Sequence, residues 1–545
     1  MIITEKGKTL QLDLLITGCR ARTMDPQRPE VSAIGIWGGR IVGLDDDVTG
    51  LPAARTVDLD GSTVLPGFID AHTHLTWTGV AGSLINLSDC RTRDAVLEAV
   101  ARAVAETPEG RWVDLAGYDQ RPLGAHLTWQ DLERVAAGRK VFITHVSGHA
   151  CLVSRPVLEA IDADEFSAYG DGVVRDDAGH PTGVLVEEAM ALARSRRLPY
   201  RIEEVVDAIA AAARQCAAEG VTTCADAGIA TGLAGFSPVE LAAYQSALEQ
   251  GRLPVRVQAM IPAAMLRPSG ADPTDGIPRS IDLGLRTGLG DDRLSVGALK
   301  MWLDGGMSAR TAALTEPYAD GGLGQLTYDD AEVTALVVDA HRAGWQLAIH
   351  AIGDRAVDQA LDAVSAAQEA VARPDAGHRV EHSGLVRPDQ LARFAELGLV
   401  AVVQPTFLEV FGDDYARIMG EERTTWMYRG RSFLERGIPL AGSSDRPVVD
   451  GAPLRGMQLM TQRTSSGGVS IGPDEVLTVD EALAAYTTGA AKACRMDDRV
   501  GRLAVGSHAD MVVLGADPYV VAPSALADIP VMATVMGGDV VHGTL

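Results

Sequence analysis

The chain is short of positive charge, short of cysteine and without a long apolar run, and each shortage removes a class of function. Against 73 acidic residues it carries 48 Lys and Arg, a formal net charge of −25 with a sequence pI near 4.9. Nucleic-acid binding rests on basic side chains neutralising phosphates, and an anionic membrane surface asks for the same, so neither is an expected partner. Six cysteines (19, 90, 151, 216, 224 and 494) are scattered with no CxxC pair, which argues against a disulfide framework and a thiolate zinc site. They read as buried structural thiols, with Cys90 kept as an outside candidate for a site. No stretch of about 18 uninterrupted apolar residues occurs. The N-terminal MIITEKGKTLQLDLLITGCRA lacks the apolar core and small-residue cleavage site of a secretion signal. The expectation is a soluble, untargeted, cytoplasmic protein.

What is present is ordinary for a globular enzyme: 46% apolar and 22% charged residues, with no internal repeat or low-complexity segment. At 57.4 kDa the chain exceeds one simple core, although a single α/β barrel absorbs about 250 residues. From residue 202 onward short apolar runs alternate with helical patterns. Candidate strands are 221–228, 253–261, 294–302, 345–353, 378–385, 399–407 and 438–445, and VLPGFIDAHTH (64–74) placed first makes eight. Between them apolar residues recur at helical spacing, as at Val357, Leu361 and Val364, where Asp354 is the expected N-cap of a helix beginning at Arg355. The pattern predicts an α/β fold, a (β/α)8 TIM-like barrel with its active site at the C-terminal strand ends. Residues 1–63 and 496–545 read as a small β-sandwich domain from both chain ends. Residues 64–80 and 201–495 read as the barrel, and 81–200 as an insertion after the first strand that lines the active-site pocket.

The chemistry is concentrated at the strand ends. In LPGFIDAHTHL (65–75), His72 and His74 are two apart, and alternation along a strand points both imidazoles the same way. His350 ends QLAIH, His382 ends RVEH, Asp445 ends LAGSSD and Lys300 ends SVGALK. Each of these six groups, buried separately, would need its own polar partner; convergence on divalent metal satisfies them together. Imidazole and carboxylate donors suit zinc, with manganese or iron as substitutes. Weaker candidates for holding substrate are His149, Arg310, Gln404 and Tyr118, with His145 and Asp119 behind them, and each of these also reads as a core or loop hydrogen-bonding residue.

Taken together, PGFIDAHTH, LKMWLDGGMSARTAAL, AIHAIGDRAVD, VEHSGLV, VVQPTF, GSSDRPV and the terminal GRLAVGSHADMVVL resemble the amidohydrolase superfamily. Within it they resemble amidohydrolase family 3, the branch that contains N-substituted formamide deformylase, and GYDQ and HVSGHACLVS in the insertion fit the same branch. The resemblance implies one or two divalent ions per chain, with His72, His74 and Asp445 on the more buried one and His350 and His382 on the more exposed. Lys300, carbamylated by CO2, would bridge them. It further implies hydrolysis of a carbon–nitrogen bond in a small molecule, an N-substituted amide or formamide, by metal-activated hydroxide, with Asp445 moving the proton. Cyclic amide hydrolase, deaminase, and carbamate or ester hydrolase are the alternatives on the same scaffold, although the absence of a glutamate near AIHAIGD disfavours deamination. The expected partner is a small-molecule substrate, with a homodimer as the candidate assembly.

Overall fold

The computed structural model describes residues 11–145, 150–231 and 235–545. They fall into two compact units: Met1–Thr78 with Val206–Gly235 and Val239–Leu545, and Gly79–Val205 with Phe236–Pro238.

The first unit contains eight parallel strands joined edge to edge: β1 (Phe68–Thr73), β2 (Val221–Asp226), β3 (Arg256–Pro262), β4 (Leu294–Trp302), β5 (Leu347–Ala351), β6 (Arg379–His382), β7 (Val400–Val403) and β8 (Leu440–Gly442). In all but β4 every residue is buried, as parallel strands covered on both faces require, which is why most of them read as largely apolar runs, with β6 (RVEH) the exception. Between β8 and β1, Asp445 donates its backbone N–H to the His72 carbonyl at 2.8 Å. The Asp70 carboxylate there receives the Ser444 N–H at 3.0 Å and the Ser444 hydroxyl at 2.5 Å. A nearly closed TIM-like barrel results.

Two expectations are corrected. Residues 64–74 are not one strand: Thr63–Pro66 pairs with Arg20–Arg22 and Met511–Leu514, and only after Gly67 does the chain enter the barrel. A Cβ at Gly67 would lie 2.3 Å from the Thr222 hydroxyl, so the crossing tolerates no side chain. Asp354 is not the N-cap but the first residue of its helix, Asp354–Ala370, which starts from Gly353. The Asp354 carboxylate instead accepts from Thr315 N–H at 3.0 Å and pairs with Arg387 at 2.9 Å.

Two further sheets are built from the chain ends, the first from N-terminal strands alone and the second from both ends. One holds Leu12–Thr17, Ile34–Trp37, Arg40–Leu44 and Ala53–Asp58; the other holds Arg20–Arg22, Glu30–Val31, Thr63–Pro66, Met511–Leu514, Val531–Met536 and Asp539–Gly543. Leu14, Ile36, Val64, Met511 and Val535 belong to one apolar cluster drawn from both. These sheets sit in the same compact unit as the barrel.

The second unit is a six-stranded mixed sheet. Ile85–Asn86, Val113–Tyr118 and Val141–His145 run parallel, and Ala150–Val153, Pro181–Val186 and Val173–Arg175 continue it antiparallel. The helix Arg93–Glu106, capped by the Thr92 side chain accepting from Ala95 N–H, buries Val96, Ala99, Val100 and Ala103 in its core. Among the described residues no helix is long and apolar enough to cross a membrane.

Candidate metal centre

The barrel brings the strand-end residues of the first unit together. His72 and His74 reach the same carboxylate oxygen, Asp445 Oδ1, with their Nε2 atoms at 3.3 and 3.1 Å. Asp445 is turned inward by a left-handed backbone, φ 56°, and the hydrogen bond to His72 O holds it there. One donor atom from each of these three buried residues lies within 4.8 Å of the others, a spacing that could hold a metal ion. The other two histidines continue the cluster: ring centroids are 4.9 Å apart for His72 and His382 and 4.4 Å for His382 and His350. His382, like Asp445, has a positive φ, 69°, which breaks the alternation of β6 at its last residue.

Lys300 is the least expected occupant of a buried site. The chain has only five lysines, at 6, 8, 140, 300 and 492. Of the three described, Lys140 and Lys492 are exposed whereas Lys300 is fully buried at the end of β4. Its Nζ has no hydrogen-bond partner and lies 5.2 Å from the Trp302 ring centroid. Burial pushes the amine down to about 8, against the pull of Glu381 and Asp445. Four imidazoles and the Asp445 carboxylate, buried beside an amine with no hydrogen-bond partner, are a donor set that fits a metal centre.

Each imidazole faces an oxygen behind it. His72 Nδ1 donates to Glu381 in a short contact, and Glu381 is itself held by Arg379 through Nε at 2.5 Å and Nη2 at 2.9 Å. His382 Nδ1 donates to Gln404 Oε1 at 2.7 Å, and the Gln404 amide donates to the Ser443 hydroxyl at 3.0 Å. His74 Nδ1 lies 4.0 Å from Asp226 Oδ1, whose other oxygen accepts from Leu75 N–H at 3.0 Å and from the Tyr244 hydroxyl. His350 Nε2 lies 3.3 Å from Asp304 Oδ1, and that carboxylate also accepts three backbone N–H groups, from Ile352, Ala313 and Gly353. Burial alone would raise the Glu381 carboxyl, but Arg379 and His72 hold it well below the usual range. Burial acts likewise on Asp445, and His72, His74 and His382 reverse it. Burial and then His350 push His382 well below the ordinary imidazole range, keeping it neutral and free to donate a lone pair.

The weaker candidates fare differently. Gln404 lies in the cluster but spends its amide on His382 and Ser443, so it orients a histidine. Arg310, expected to hold a substrate carboxylate, is taken up by Asp414 at 2.9 and 3.0 Å and Asp320 at 3.1 Å. Tyr118, expected to line a pocket, is instead in the core of the second unit, 1% exposed, its hydroxyl accepting from Leu127 N–H at 2.7 Å. In that unit Asp119 is bound by Arg121, and His145 Nε2 is 2.5 Å from Gln120 Oε1. Cys90 packs there too, its thiol against the Ala95 carbonyl at 3.7 Å. His149 lies outside the described residues. Glu381, Asp226 and Asp304 went unread in the sequence. A signal for the first existed: Arg379 and Glu381, two apart, are charged residues on one face of a strand in a chain whose other barrel strands are largely apolar.

The amidohydrolase family model matches residues 55–542. N-substituted formamide deformylase of Arthrobacter pascens is 29% identical over 552 residues, covering 97% of this chain and 98% of its own. Protein LONG AFTER FAR-RED 3 of Arabidopsis thaliana is 29% identical over 528 residues, covering 93% of this chain and 88% of its own. Among solved structures, an uncharacterized metal-dependent hydrolase from Pyrococcus horikoshii superposes with a TM-score of 0.77 at 26% identity, covering 94% of this chain and 99% of that one. With these matches spanning barrel, insertion and both chain ends, the chain belongs to the amidohydrolase family, whose members are metal-dependent hydrolases.

Proposed function

We propose that the protein hydrolyses an amide-type carbon–nitrogen bond in a small molecule, an N-substituted amide or formamide, at a zinc centre held by His72, His74, His350, His382 and Asp445 with Lys300 carbamylated between two ions. The observation that carries this reading is the convergence of four imidazoles and Asp445 around the orphaned Lys300 amine at the mouth of one barrel. Full-length similarity to an N-substituted formamide deformylase supports the substrate class.

When bound, the metal supplies a Lewis acid and lowers the pKa of water from 15.7 toward ~7. The protein's own groups do the rest. His382, held neutral, keeps its lone pair. Asp445, held ionised by three imidazoles, accepts a proton on its carboxylate and delivers it to the leaving nitrogen, so one residue serves as base and then as acid. Lys300, its amine depressed to about 8, is neutral in a useful fraction at physiological pH, the form that adds to CO2. Screening metal-loaded protein against formamides, N-acyl amines, N-acyl amino acids and carbamates tests the assignment. Release of formate or a short carboxylate with free amine is the expected result, and turnover confined to esters, or none after metal loading, overturns it.

A further inference from the structure

We propose that Glu381, seated on Arg379, is a positioning residue that fixes His72 as an Nε2 donor and sets the metal affinity of the centre. The inference rests on His72 being a metal ligand, as proposed above.

Arg379 and Glu381 are both fully buried, inside a barrel whose interior is ordinarily filled by branched apolar side chains. A buried ion pair contributes little net stability, because the desolvation of both charges offsets their attraction, and an apolar pair of similar volume is often as good or better. Something other than stability therefore accounts for it. The contacts say what. Glu381 accepts from His72 Nδ1, so the proton of that ring sits on Nδ1 and Nε2, 3.3 Å from Asp445, is left with its lone pair. Arg379 binds both Glu381 oxygens and also donates to the Ala71 carbonyl at 2.5 Å, on β1 immediately before His72. The pair thus holds the ring and the backbone that carries it.

The other three histidines are backed more weakly. His382 meets a neutral amide, Asp304 shares its oxygens with three backbone N–H groups, and Asp226 stands 4.0 Å from His74. Of the four, His72 alone has a short contact to a carboxylate whose other partner is one side chain, Arg379, rather than a set of backbone N–H groups. A charged acceptor behind an imidazole raises its basicity as a ligand, and loss of such a partner typically costs about 10- to 100-fold in metal affinity.

The test compares metal-free wild type with Glu381→Gln and with the apolar double replacement Arg379→Met with Glu381→Leu, titrated with Zn2+ against a chromophoric chelator and with Co2+ for its visible spectrum. Asp226→Asn serves as the reference for a distant partner. We expect both Glu381 variants to lose at least 10-fold in affinity and to shift the Co2+ bands, the double variant to melt within a few degrees of metal-free wild type, and Asp226→Asn to lose less. Unchanged affinity and spectrum in a folded Glu381→Gln protein overturn the inference, as does a double variant that loses stability and keeps its affinity. If the double variant does not fold, Glu381→Gln decides alone. Wild type that binds no metal overturns the metal reading itself, and this inference with it.

Discussion

Replacing Lys300 by Met separates stability from function. In the metal-free protein the amine is fully buried and its pKa falls from 10.5 to about 8. At ~1.4 kcal/mol per unit, about 3 kcal/mol is held against folding at pH 7, because the folded state disfavours the charged form that the unfolded chain carries. Met has similar length and no charge, so metal-free Lys300→Met should be more stable than metal-free wild type by about 2–3 kcal/mol at pH 7. For a chain of this length that is a rise of roughly 2–3 °C in melting temperature. The sign fixes the pH dependence. Since the folded pKa is the lower one, the unfolded chain binds more protons between about pH 8 and 10.5, wild type gains stability across that window, and its deficit against the variant closes above it. Scanning calorimetry of both proteins in CO2-depleted buffer, at pH 7 and again above pH 10, reads this directly, and turnover of Lys300→Met should be lost throughout. A variant that is less stable than wild type at pH 7, or a difference that does not change with pH, would refute the reasoning.

Other consequences are equally open to measurement. Asp445→Asn should abolish turnover while retaining much of the metal, whereas His72→Ala and His74→Ala should lose both; metal content and rate measured on the same samples separate the two outcomes. Lys300→Ala should lose activity that added short carboxylic acids partly restore. Gly228, at φ 118°, would place a Cβ 2.7 Å from the Trp302 ring and 3.4 Å from Lys300 Cγ, so Gly228→Ala should cost about 1–3 kcal/mol in denaturant titration and reduce activity. His378, kept neutral by burial and by His341 and pushed down to about 3, destabilises the fold as pH falls from its unfolded pKa of about 6.5 toward 3, because only the unfolded state takes the proton readily. His378→Gln should therefore flatten the acid limb of the stability profile, and an unchanged limb would exclude this histidine as its source.

Most strands were legible because a parallel strand covered on both faces is largely apolar, and the candidate ligands were legible because they interrupt that pattern near the C-terminal ends of the strands. What could not be read is pairing at a distance. Glu381 takes its meaning from His72, 309 residues away, and Arg310 is committed to Asp414, 104 residues on. Tyr118 stands two residues past an apolar stretch, a pattern that serves a pocket wall and a core equally, and only the Leu127 N–H that it accepts distinguishes them. The break at Gly67 was hidden for a related reason: Thr63–Pro66 is as apolar as β1, but its partners are the residues near 21 and 512.

The central claim, that this barrel mouth is a metal-dependent hydrolytic centre, is tested most directly by anomalous diffraction at the zinc edge from crystals of protein whose activity has been restored with zinc. The account predicts a peak within bonding distance of His72, His74 and Asp445, with a second between His350, His382 and a carboxylated Lys300. Active, zinc-loaded protein with no anomalous density at these residues would contradict it.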